Sequence, residues 1–262
     1  MMTDCRCFHK GLAVADDRAC VALSCQTCYF GLANPRKMIE FYHVYMQYIK
    51  SQYALVDLCL SIEKGEFVFL TGASGAGKTT LLKLIYKAQT PVKGQILIDS
   101  VNINMIPKKS LYQLRRKIGI IFQDFKLLPR KTIFENVAIP LVIRGTKKNT
   151  ILKKVNEALS LVGLTHRRNY FPLHISGGEQ QRVAIARAIV SDPKIMIADE
   201  PTGNLDTELS IEILRIFERI NAAGITIIIA THDKNLLRMF SKRTLRLEKG
   251  RMVQDEPTGE LA

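Results

Sequence analysis

Phe67-Val68-Phe69-Leu70-Thr71-Gly72-Ala73-Ser74-Gly75-Ala76-Gly77-Lys78-Thr79-Thr80 runs a short apolar stretch into a glycine-rich turn. A helical pattern follows from Thr79 to Ala88, with Leu81, Leu82, Leu84 and Ile85 inward. Gly72-x-x-x-x-Gly77-Lys78-Thr79 between a strand and a helix is the context a phosphate-binding loop requires. Glycines let backbone N–H groups close around a β-phosphate, and the helix N-terminus adds positive potential. Lys78 then suits the β- and γ-phosphates, and the Thr79 hydroxyl suits Mg²⁺.

Working outward, Ile195 to Ala198 reads as a buried strand that delivers Asp199 and Glu200 at its carboxyl end, the edge where open α/β sheets bind ligands. Asp199 suits a metal, and Glu200 suits polarising a water in line with a γ-phosphate. Alone, the pair also reads as solvated acids. Ser176-Gly177-Gly178 opens a helix from Glu179 to Ser191, a second anion-seeking helix start or a plain glycine-rich loop. His232 follows the strand Ile225 to Ala230, and Gln123 ends the strand Gly119 to Phe122. Either one fits a phosphate, metal or water contact, or ordinary polar structure.

The rest of the chain supports a parallel α/β core. Ile39 to Val44 reads as a strand, Val56 to Ile62 alternates as a half-buried strand with Cys59 as a small core residue, and Gln95 to Ile98 forms another. Thr132-x-x-Glu135 is a capping box, and Leu152, Val155, Leu159 and Val162 mark one face of a helix that Gly163 stops. Leu209, Ile213, Ile216 and Ile220 mark another helix, and residues 244–253 form a hairpin turning at Lys249-Gly250. Buried isoleucine-rich strands separated by helices imply a parallel sheet, with the middle helices interrupting it as a subdomain.

The 262 residues carry a net charge of +14, which suits nucleic acid, an anionic membrane surface or a polyphosphate ligand. No apolar run approaches the roughly 18–20 residues that span a bilayer, so a membrane, if one matters here, is to be reached through a partner. Cys5, Cys7, Cys20, Cys25 and Cys28 crowd the start without a common zinc spacing, and nothing suggests a disulfide scaffold.

Read in order, Gly72 to Thr79, Gln123, Ser176 to Gln180, Asp199-Glu200, Asn204-Leu205-Asp206 and His232 resemble the motif series of ATP-binding cassette (ABC) ATPases. The resemblance covers about residues 38–247. It implies a P-loop NTPase core with a parallel sheet, an N-terminal antiparallel β-subdomain and an inserted helical subdomain at about residues 124–190. It implies ATP and Mg²⁺ as ligands, with Gly72, Ala73, Ser74, Gly75, Ala76, Gly77, Lys78, Thr79 and Thr80 on the phosphates and Tyr48 stacking on adenine. Thr79, Gln123 and Asp199 are implied on the metal, and Glu200, Gln123 and His232 as catalytic. A head-to-tail homodimer is implied, in which Ser176, Gly177, Gly178 and Glu179 reach the other copy's ATP and Asn204 to Asp206 touch the partner copy. Ile175 and Glu179 depart from the more usual Leu and Gln.

A narrower resemblance lies in residues 71–85, 122–129 and 134–141, which look like the cell-division branch of the family, the FtsE proteins. That branch implies an integral membrane partner, FtsX, docked near Phe125, Leu127 and Leu128, and a place on the cytoplasmic face of the plasma membrane among other division proteins. The implied output is control of septal peptidoglycan hydrolysis, and no specific nucleic acid is expected. ATPases of lipoprotein release or macrolide export, and soluble nucleic-acid-associated cassettes, are the alternatives. The family's normal start coincides with Met38, so residues 1–37 are expected to be a disordered or mis-assigned extension, and residues 38–262 the ATPase domain.

Overall fold

The computed structural model describes residues 36–49, 52–203 and 205–257. The five N-terminal cysteines, Asn204 and all but the last two residues of the expected 1–37 extension lie outside them.

In chain order the elements are β1 (Lys37–Ile49), β2 (Gln52–Glu63), β3 (Phe67–Thr71), α1 (Lys78–Ile85), β4 (Lys93–Ile98), β5 (Val101–Asn102), α2 (Leu111–Arg115) and β6 (Ile118–Ile121). There follow α3 (Ile133–Ile143), α4 (Lys148–Leu161), α5 (Gly177–Ile189), β7 (Ile195–Asp199), α6 (Thr207–Ala222), β8 (Thr226–Ala230), α7 (Lys234–Phe240), β9 (Arg243–Glu248) and β10 (Arg251–Glu256). They build two sheets. The smaller has the order β2-β1-β4-β5 and is antiparallel throughout. The larger has the order β10-β9-β3-β8-β7-β6, parallel except for the β9–β10 hairpin.

Burial on both faces explains why the central strands of the large sheet, β3, β7 and β8, are nearly continuous apolar runs. Every residue of β3 and β8 is buried. Val68, Leu70, Ile195, Ile197 and Ile228 share one core with α1 and the small sheet. Phe67, Phe69, Met196, Ala198, Ile227 and Ile229 share the other with α3, α4, α5 and α6. Adjacent residues of one strand therefore serve opposite cores.

Local signals set the ends. Thr132 accepts from the Glu135 amide at 3.2 Å while Glu135 accepts from the Thr132 amide at 2.8 Å, so the capping box at α3 is present. α1 stops at Ile85, three residues short of the expected Ala88, because Lys87 turns left-handed at φ 49° and Ala88 donates back to the Lys83 carbonyl. Two expected core positions are corrected. Cys59 is exposed, because it shares with Asp57 the solvent side of the alternating strand β2. Leu152 is also exposed, because Ile151, four residues before Val155, takes the packed position on α4.

Asp99 ties the sheets together at a distance from their cores. It sits in the β4–β5 turn with φ 51°, followed by Ser100 at 65°. Its carboxylate accepts from Lys194 at 2.7 Å and pairs with Lys64 at 3.0 Å and Lys117 at 3.7 Å. Those lysines precede β7, β3 and β6, so one carboxylate links the small sheet's hairpin to three entries into the large sheet. The lysine hydrogen bonds, opposed by burial, hold the Asp99 carboxyl down at about 2, from an ordinary 3.8.

A depressed carboxyl stabilises the fold fully above its unfolded value and loses that stabilisation as pH falls through the folded one. The lysine side chains are 42–52% exposed, so screening reduces the effect to about 1 kcal/mol. Asp99→Asn should lower the unfolding free energy by about that amount at neutral pH in chemical denaturation. The gap between variant and parent should close as pH falls from 3.8 through about 2.

Candidate nucleotide-binding site

The loop between β3 and α1 is a seam. Gly77 caps α1 at φ 108°, and a Cβ there would lie 2.8 Å from both the Ala54 carbonyl and Leu55 Cδ2 of β2. A Cβ on Gly72 would lie 2.3 Å from the Leu247 carbonyl of β9. Glycine is therefore required at both positions by backbone pressed against backbone. Lys78 is buried, its Nζ donating to the Gly72 carbonyl at 2.7 Å and the Ala73 carbonyl at 3.2 Å. The ammonium is thus held over the loop.

A cavity of about 570 Å³ opens against this loop. Ser74, Gly75, Gly77, Lys78, Thr79 and Thr80 line one side of it, and Gln123, Asp199 and Glu200 come from the ends of β6 and β7. Tyr48 lines it from β1, half-exposed, with its hydroxyl 3.2 Å from Thr80 Oγ1. Gln52, Tyr53 and Ala54 complete a wall from β2 that sequence reasoning missed, since only the hairpin's register brings them there. Ala76 is buried beneath the loop, and Gly72 and Ala73 line a neighbouring cavity with His232.

Asp199 ends β7 half-buried, and desolvation raises its carboxyl above the ordinary aspartate range, opposed by a hydrogen bond with Thr79. The paired hydroxyl and carboxylate, with the Gln123 amide on the same cavity, form a hard oxygen donor set suited to Mg²⁺. Glu200 turns left-handed at φ 49°, and its amide donates to the Ala230 carbonyl at 2.9 Å. Its Oε1 lies 3.2 Å from His232 Nδ1, so the ends of β7 and β8 are joined by a carboxylate–imidazole contact. These donors and acceptors converge where a phosphate chain, a hard cation and an attacking water could meet.

Ser176, Gly177, Gly178 and Glu179 do not line this cavity. They open α5 through a second capping box, with Glu179 N donating to Ser176 Oγ at 3.2 Å and Ser176 N to Glu179 Oε2 at 2.9 Å. The Ser-x-x-Glu spacing signals that box as Thr132-x-x-Glu135 does, and the sequence reading passed over it. The Ser176 amide chiefly, with Arg167 3.4 Å away helping, keeps the Glu179 carboxyl below its usual range. Gly178 is buried, and a Cβ there would meet Leu209 at 3.2 Å. Gly177 is exposed, and a Cβ there would meet nothing within 4 Å among the described residues. Leu205 packs half-buried on the core, and Asp206 caps α6 by accepting from Leu209 N at 2.8 Å. Asn204 between them and Gly203 lies outside the described residues.

One expected surface is corrected. Phe125 and Leu127 are not exposed apolar residues but pack half-buried against the helical core, leaving Leu128 exposed. Arg187 of α5 holds this turn by donating to the carbonyls of Phe125 at 2.5 Å and Lys126 at 2.6 Å.

Residues 55–203 match the family described as ABC transporter. The chain is 48% identical over 223 residues to the cell division ATP-binding protein FtsE of Bacillus subtilis (strain 168), covering 85% of this chain and 98% of that one. It is 47% identical over 215 residues to the Escherichia coli (strain K12) protein of the same name, covering 82% and 97%. A solved dimeric ATP-binding cassette in a post-hydrolysis state, bound to ADP and Pi, superposes with a TM-score of 0.77 at 35% identity, over 84% of this chain and 98% of that chain. The expected fold of parallel core, antiparallel sheet and helices is that of these relatives. By its motifs, its sheets and these matches, the chain belongs to the ABC transporter family of ATP-binding cassettes.

Proposed function

We propose that the chain is the ATP-hydrolysing subunit of a membrane-associated complex in cell division, driven by ATP held between two copies arranged head to tail. The observation that carries this reading is the separation of two anion-seeking helix starts. One lies in the cavity with Lys78, Thr79, Asp199 and Glu200; the other, at Ser176 to Glu179, lies outside it with Gly177 open to solvent. Among the described residues nothing crowds a side chain at position 177, so that position is open to a group from outside the chain. A second copy's γ-phosphate fits that place.

In this reading the residues from Gly72 to Thr80 wrap the phosphates and Tyr48 stacks on adenine. Lys78 leaves the loop carbonyls for the phosphate oxygens. Thr79, Gln123 and Asp199 would hold Mg²⁺, which supplies charge neutralisation on the phosphates. Glu200 accepts the proton of the attacking water, Gln123 orients that water, and His232 fixes the Glu200 carboxylate and reaches toward the γ-phosphate. Leu205 and Asp206 lie against the partner copy.

No helix among the described residues is long and apolar enough to cross a membrane, and in this reading a second protein brings the chain to the membrane. The relatives' cell-division names suggest FtsX, which would hold the chain at the cytoplasmic face of the plasma membrane. A groove of about 840 Å³ between α2, β6, α3 and α5 offers the dock. Tyr112, Ile120 and Ile143 supply apolar contacts there, ringed by Arg115, Arg116 and Arg144. Ile143 is 76% exposed and Tyr112 51% exposed. An amphipathic cytoplasmic helix with acidic flanks matches that surface.

Glu200→Gln should bind ATP with near-parental affinity, lose at least about 100-fold in turnover, and accumulate as an ATP-dependent dimer in sedimentation. Turnover within a few-fold of parent would remove Glu200 from the role of base. Gly177→Val should bind ATP as a monomer yet fail to dimerise or hydrolyse; unchanged hydrolysis would remove the composite site. Separately, Ile143→Asp should reduce capture of detergent-solubilised FtsX by about tenfold or more while leaving ATP binding intact. Unchanged capture would exclude the groove.

A further inference from the structure

β1 and β2 carry a second cluster of metal-ligating groups, none of them on the nucleotide cavity. One ligand atom each from His43, Asp57 and Cys59 lies within 4.8 Å of the others. Two bulges in one strand pair create the cluster. Phe41 faces Leu60 and Val44 faces Leu58, so β1 carries an extra residue between them. Val44 faces Leu58 and Met46 faces Leu55, so β2 then carries one. Each bulge holds a left-handed residue that is not glycine, His43 at φ 47° and Asp57 at φ 51°. Asp57 and Cys59 share the solvent side of β2, and His43 turns back over them. Its Nδ1 lies 2.8 Å from Asp57 Oδ1, and its amide donates to Cys59 Sγ at 3.3 Å.

We propose that His43, Asp57 and Cys59 bind one Zn²⁺-class divalent ion. A thiolate, an imidazole and a carboxylate form a borderline-soft donor set, which favours Zn²⁺ and rejects Mg²⁺. Tetrahedral Zn²⁺, with N and O at about 2.0–2.2 Å and S at about 2.3 Å, spaces its ligand atoms about 3.3–3.7 Å apart. The present spacings run from 2.8 Å to no more than 4.8 Å, so small side-chain rotations bring the three atoms into that range. All three residues are exposed, which leaves the fourth position to water. Binding forms the Zn–S bond and releases the Cys59 thiol proton to solvent. The site is chemically distinct from the oxygen donors at Thr79 and Asp199.

The test uses the full chain with Cys5, Cys7, Cys20, Cys25 and Cys28 changed to Ser, free of nucleotide and in excess Mg²⁺. Co²⁺ titration should give a thiolate-to-cobalt charge-transfer band that saturates at one equivalent. Zn²⁺ should erase it, and competition with a chromophoric chelator gives the Zn²⁺ affinity. Cys59→Ser should abolish the band and weaken Zn²⁺ by about 100-fold or more, and Asp57→Asn should weaken it by about tenfold. Both variants should bind ATP as the parent does, which shows that they fold. Absence of the band in the parent, or Zn²⁺ affinity unchanged in Cys59→Ser, would overturn the site. So would a band seen only while the five N-terminal cysteines are present.

Discussion

Gly77 stands where the two sheets press on one loop. The Ala54 carbonyl and Leu55 of the small sheet leave no room for a Cβ there, and the Leu247 carbonyl of the large sheet leaves none at Gly72. Gly250, in the β9–β10 turn, donates to the Ala76 carbonyl at 3.0 Å and accepts from Val56 at 2.8 Å, closing the seam. The loop is therefore shaped by contacts from β2, β9 and the final hairpin as well as by its own glycines. A nucleotide bound on it would feel both sheets, and a change in either sheet would reach the phosphates. In the proposed nucleotide pose, the adenine-side and phosphate-side walls belong to different sheets that are joined at the loop.

Charge is placed to match. Asp199 sits half-buried at the end of a wholly apolar strand, where desolvation pushes its carboxyl up and makes it receptive to a cation. Glu200, one residue later, leaves the strand through a left-handed backbone and meets His232 instead of sharing its neighbour's surroundings. Two adjacent carboxylates thereby acquire different surroundings, which is what separate metal-holding and proton-accepting roles require. Across the molecule, Glu179 spends its carboxylate on capping its own helix, which fixes Ser176 and leaves Gly177 outward.

Much of this was legible because it rests on local rules. A fully apolar strand entering a glycine-rich turn before a helix specifies β3, the loop and α1 with little help from elsewhere. The carboxyl-edge placement of Gln123, Asp199, Glu200 and His232 follows from parallel strands alone. What was not legible depends on register and on which of two neighbours packs. Cys59 looked apolar by type, yet strand alternation sets it beside Asp57 in the open. Leu152 lost its place to Ile151 by a single position on the helix. Phe125 and Leu127 turn inward because Arg187, some 60 residues later, holds the backbone of their turn. Tyr53 and Ala54 reach the cavity only because β2 folds back on β1.

The central claim is that ATP on one copy is completed by Ser176 of another. Its most direct measurement is the structure of the Glu200→Gln chain with ATP and Mg²⁺. The account predicts two copies in which the Ser176 hydroxyl and the Gly177 and Gly178 amides of each lie within hydrogen-bonding distance of the γ-phosphate held on the other's Lys78. A bound ATP whose γ-phosphate meets only its own copy, with Ser176 left in solvent, would contradict it.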